Sequence, residues 1–76
     1  MAYHVLFIHT RAYGEPDNGE GWCIEFGDRD REAVDFERQD HRDRGVSARH
    51  LKVVTFPRTP TQRQLTAKRD ELNAPA

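Results

Sequence analysis

Cysteine is almost missing from this chain: Cys23 stands alone among 76 residues. A single thiol excludes an internal disulfide and a thiolate zinc site. Aromatic residues are sparse at 9%, and no apolar run approaches the roughly 20 residues that span a bilayer. The start, Met1-Ala2-Tyr3-His4, has no basic segment ahead of its apolar run, so no secretory signal is expected. Also missing are a Gly-rich phosphate loop, a Ser-His-Asp order and a metalloprotease signature. Nothing here points to an enzyme. The length suits a single domain over residues 1–76.

What is present is charge, unevenly distributed. The chain is 33% charged with a net charge of only −1. Residues 1–44 hold six Arg against eleven Asp and Glu, a balance of −5. Residues 45–76 hold four Arg and two Lys against one Asp and one Glu, a balance of +4. An acidic front and a basic back cancel in the total, and either half is a candidate partner surface.

The apolar residues mark the elements. Residues 2–10 read as a strand with apolar groups on both faces (Val5 and Phe7; Leu6 and Ile8), the mark of a central strand. Residues 11–20 carry Gly14, Pro16 and Asn18-Gly19, which predict a loop. Residues 21–27 alternate Trp22, Ile24 and Phe26 with Cys23 and Glu25, a strand with one apolar face. The polar stretch 28–44 predicts a solvated helix with Asp28 as N-cap, a thin apolar stripe of Ala33, Val34 and Phe36, and Gly45 at its stop. Residues 49–56 predict a third strand ended by Pro57. Residues 59–73 predict a second helix, with Thr59 as N-cap, Pro60 at its first position and Gln62 completing a capping box. Leu65, Lys68 and Leu72 mark its packing face.

The order ββαβα and a right-handed crossover predict an α+β fold. The expected sheet is three-stranded and mixed, in the order 2-1-3, with two helices on one face. Two helices with four large apolar residues do not shield both faces of a sheet. A homodimer, or another protein partner, is therefore expected on the open sheet face or an edge strand.

Candidate chemistry is thin. His4 and His9 point to opposite faces of a strand, and His41 and His50 show no ligand spacing. Glu25, Asp28, Asp30 and Glu32 resemble a cation site, but Arg29 and Arg31 interleave with them, and a strand end plus a helix cap explains each acid. No catalytic residue, metal or cofactor is expected. The partner-binding candidates are Asp35, Glu37, Asp40 and Asp43 of the acidic helix, with Tyr13 of the loop. The alternative is a nucleic-acid-binding regulator using Arg49, Lys52, Arg58, Arg63 and Lys68, although no aromatic residues interleave with them in sequence.

Two segments carry a resemblance. One is Trp22-Cys23-Ile24-Glu25-Phe26-Gly27-Asp28-Arg29-Asp30-Arg31-Glu32; the other is Ala48-Arg49-His50-Leu51-Lys52-Val53-Val54, leading to a helix that ends Leu72-Asn73. Over residues 3–73 the chain resembles small uncharacterised accessory proteins of tailed bacteriophages and prophages. The resemblance implies a context: a protein of the bacterial host cytoplasm that binds a host or phage protein, such as a defence or nucleic-acid-handling factor. It carries over no functional residues, and a structural role remains a further alternative.

Overall fold

The structure, a computed structural model, describes residues 1–12 and 21–74. Strands β1 (Tyr3–His9), β2 (Trp22–Asp28) and β3 (Leu51–Phe56) form one open sheet in the order β2-β1-β3. The two-faced apolar strand is therefore central. Helix α1 (Arg31–Asp43) links β2 to β3, a 3₁₀ turn over Ala48–His50 leads into β3, and α2 (Gln62–Asn73) follows. No helix among the described residues is long and apolar enough to cross a membrane.

The crossover gives β2 and β3 the same direction, as expected, but β1 lies between them. Both ladders are antiparallel, so the sheet is antiparallel rather than mixed. The β1–β2 register shifts between Leu6 and Phe7: Leu6 faces Phe26, Phe7 faces Ile24, and Glu25 is the extra residue of a bulge. A bulge reverses the alternation that the sequence shows. Phe26 consequently packs with α1, whereas Trp22 and Ile24 belong to the opposite face, and Ile24 is 38% exposed. The single apolar face expected for this strand is divided.

The core cluster is Leu6, Val34, Val46 and Leu51, with Ile8, Ala12, Phe26 and Val53 against it. It contains a residue of α1 and none of α2, which packs on β2. Val5 and Phe7 point to the other face and are also buried. That face is thus closed at its centre, and a wide apolar dimer surface there finds no support.

Local chemistry sets the helix ends. Asp28 accepts from the Asp30 N–H (2.8 Å), and Asp30, not Asp28, is the N-cap of α1, accepting from Glu32 N–H at 3.0 Å. Two consecutive Asx turns move the start two residues downstream. At the other end the Val46 N–H reaches His41 O (3.0 Å) and the Gly45 N–H reaches Arg42 O (2.9 Å), the two bonds of a Schellman stop. This stop delivers Val46 into the core.

Gly45 has φ +101 and nothing within 4 Å of where a Cβ would stand. A Gly45→Ala variant therefore meets backbone strain alone, about 1–2 kcal/mol. An unfolding free energy lowered by that amount, read as a lower urea midpoint at unchanged slope, is expected; an unchanged midpoint would refute the strain argument.

The N-cap of α2 is Thr61 rather than Thr59. Thr61 Oγ1 accepts from Gln64 N–H (3.2 Å), and the Thr61 N–H donates to Gln64 Oε1 (2.8 Å). The sequence contains two overlapping capping boxes, Thr59–Gln62 and Thr61–Gln64. The second places Pro60 and Leu65 at the positions a hydrophobic staple uses.

Candidate functional site

Two surfaces carry side chains that core packing does not explain. The first is the outer face of α1. Val34 and His41 are seven residues apart, two turns, and both are buried; His41 is only 6% exposed. The β2 bulge turns Glu25 toward α1, with His41 Nε2 lying 3.6 Å from Glu25 Oε1. With those residues fixed inward, Phe36, two positions from Val34, falls on the opposite side. It is 73% exposed. Its expected place in the packing stripe is thus corrected: the 3.6-residue period cannot bury Val34 and Phe36 against the same sheet.

Around Phe36, at i−4, i+3, i+4 and i+7, stand Glu32, Gln39, Asp40 and Asp43. Asp40 pairs with Arg44, and Asp43 accepts from Gln39 Nε2 at 2.8 Å. Of the acids expected to bind a partner, Asp40 and Asp43 therefore join the Phe36 face. Asp35 and Glu37 are its sequence neighbours and do not share its face. Asp35 pairs with Arg31 at 2.9 Å, and Glu37 is half-buried. Such exposed i,i+4 pairs contribute only about 0.2–0.5 kcal/mol each. Tyr13 lies outside the described residues.

The second surface gathers at one end of the sheet, where β1 ends and β2 and β3 begin. His9 of β1 and Trp22 of β2 are register partners, and their rings meet edge to face, 5.2 Å between centroids at 88°. On the other side His9 stacks on His50 of the 3₁₀ turn, at 5.5 Å and 27°. Lys52 of β3 holds its ammonium 4.8 Å from the Trp22 ring centroid, a cation–π contact. His50 titrates below the ordinary histidine value: partial burial disfavours its charged form, and Arg49, His9 and Arg11 repel the proton.

The basic candidates do not form one surface. Arg49 and Lys52 belong to this ring cluster. Arg58 lies beyond the far end of β3, where it lines a shallow depression of about 370 Å³ with Met1, Arg29 and Thr59. Lys68 is paired with Glu71 at 2.8 Å, and Arg63 is exposed on the first turn of α2. His50 lies between Arg49 and Lys52 in sequence, and β1 and β2 add the rings of His9 and Trp22. Positions 9 and 22 meet positions 50 and 52 only through strand pairing, so no local motif announces the cluster.

The acidic candidates Glu25, Asp28, Asp30 and Glu32 are divided between the His41 contact and the α1 cap. Among the described residues no three His, Cys, Asp or Glu side chains gather as a metal site. Cys23 is half-buried in β2. No protein-family model matches this chain, and no curated protein or solved structure matches it.

Proposed function

We propose that this chain is a non-enzymatic binding protein, an accessory of a tailed-phage or prophage element, that engages a basic protein surface through the outer face of α1. The observation that carries this reading is Phe36: a large aromatic side chain, 73% exposed, standing between Glu32, Asp40 and Asp43. Aromatic anchors ringed by polar groups dominate interface energetics, and the flanking acids steer a cationic partner and select it. A host factor that handles nucleic acid presents such a surface. The expected location is the bacterial cytoplasm.

Phe36→Ala and a charge-reversed Asp40→Lys/Asp43→Lys variant are each expected to abolish recovery of the partner from host lysate. A hot-spot aromatic is worth at least about 2 kcal/mol, or roughly thirty-fold in affinity. Folding stability should change by no more than about 0.5 kcal/mol for Phe36→Ala, because the ring is in solvent. Unchanged recovery from both variants would sink the proposal.

Self-association belongs to the same proposal. The Asn73 amide occupies the outer edge of β2 at Trp22, which leaves β3 as the edge available to a second copy. Light scattering is expected to read twice the 8.9 kDa chain mass; a monomer at high concentration would dismiss the dimer.

A further inference from the structure

We propose that the ring cluster of His9, Trp22 and His50, with Lys52 and Arg49 at its margin, binds single-stranded nucleic acid. Proteins that hold single strands combine aromatic rings, on which bases stack, with cations spaced along the phosphates. Both components are assembled here from three strands and one turn. His9 and His50 already stack, at 5.5 Å between centroids, with Trp22 edge-on to His9 at 5.2 Å, and His50 is the outer member of the stacked pair. A base extends that stack from His50.

Neither Lys52 nor Arg49 has a carboxylate partner among the described residues, whereas Lys68 and Arg31 do. Lys52 is held over Trp22 instead, and Arg49 is exposed beside His50 on the 3₁₀ turn. Partial burial disfavours a charge on His50, and repulsion from Arg49, His9 and Arg11 adds to it. A phosphate relieves that repulsion. A duplex fits less well, because its bases are stacked on one another and unavailable to the rings. This surface is separate from the Phe36 face of α1, and the proposal does not depend on that reading.

Trp22 is the only tryptophan and lies in the cluster, so its fluorescence reports occupancy directly. Titration with a short oligothymidylate at low salt is expected to give saturable quenching. Two phosphate contacts predict a log–log salt slope of about −1.4, or roughly sevenfold weaker binding for a fourfold rise in salt. Lys52→Ala should halve the slope. His50→Ala should weaken binding by about five- to a hundred-fold, the range found for removing one stacking ring, and His50→Phe should restore it. Circular dichroism checks that each variant folds, and Arg49→Ala, at an exposed position, tests the phosphate contact if a ring variant does not fold.

Absent quenching at low salt would overturn the proposal. So would a duplex bound as tightly as the single strand. Quenching by heparin equal to that by oligothymidylate, with His50→Ala unaffected, would leave a polyanion or acidic-peptide surface and overturn it as well.

Discussion

Phe7→Ala is expected to be the most damaging single substitution, lowering stability by about 3–5 kcal/mol. Phe7 lies at the middle of the central strand, between Ile24 and Lys52 in the two ladders, with 0% of its surface exposed. Truncating a buried Phe costs about 3–5 kcal/mol, because lost transfer energy adds to a cavity that close-packed neighbours fill only in part. A chain of 76 residues has about 4–11 kcal/mol of stability in total at the usual value per residue. One substitution thus removes a large fraction of it. Phe7→Leu, which keeps most of the volume, should cost less than about 1.5 kcal/mol. Urea unfolding followed by circular dichroism separates the two. Equal midpoints for Phe7→Ala and the parent chain would refute the argument that this residue holds the second face together.

The same strand explains why the topology was legible from sequence. Only a strand covered on both sides needs Val5 and Phe7 on one face and Leu6 and Ile8 on the other, and that pattern places it between its two neighbours. The bulge at Glu25 was not legible, because Trp22 through Gly27 alternates without a break and nothing local marks an inserted residue. The helix starts were legible in kind and displaced in place: Asp28 and Asp30 are both good caps, and two capping boxes overlap at residues 59–64. Phe36 was readable in principle. Once Val34 is assigned to the core, the helical period alone sends Phe36 outward.

The charge split is likewise refined. The ion pairs of α1 (Arg31–Asp35, Arg44–Asp40) and of α2 (Lys68–Glu71) lie within each helix. Each half of the chain therefore satisfies part of its charge locally. What stays distinctive is the acidic rim of Phe36 on α1 and, at one end of the sheet, two cations that have no carboxylate partner among the described residues and stand beside three rings. Their placement, more than the totals of −5 and +4, distinguishes the two proposed surfaces.

Gly21→Ala is expected to be the second most damaging substitution, at about 2–5 kcal/mol, and its origin can be dissected. Gly21 has φ +75, where a side chain costs about 1–2 kcal/mol in strain. A Cβ there would also run into the Asn73 amide. That amide is occupied: Trp22 N–H donates to Asn73 Oδ1 at 2.6 Å, and Asn73 Nδ2 donates to Trp22 O at 3.1 Å. One side chain from the end of α2 thereby satisfies both backbone groups of Trp22, the first residue of an edge strand, and ties the helix to the sheet. Pushing it away forfeits two hydrogen bonds, at about 0.5–1.5 kcal/mol each. Strain and displacement separate in a double-mutant cycle with Asn73→Ala. With Asn73 truncated the obstruction is gone, and Gly21→Ala should cost only the strain, so the two losses fall short of additivity by about 1–3 kcal/mol, the two hydrogen bonds. Full additivity would mean that the amide does not hold this end of α2. Asn73→Ala alone should also raise the tendency to aggregate, since it bares the edge of β2 for pairing with another chain.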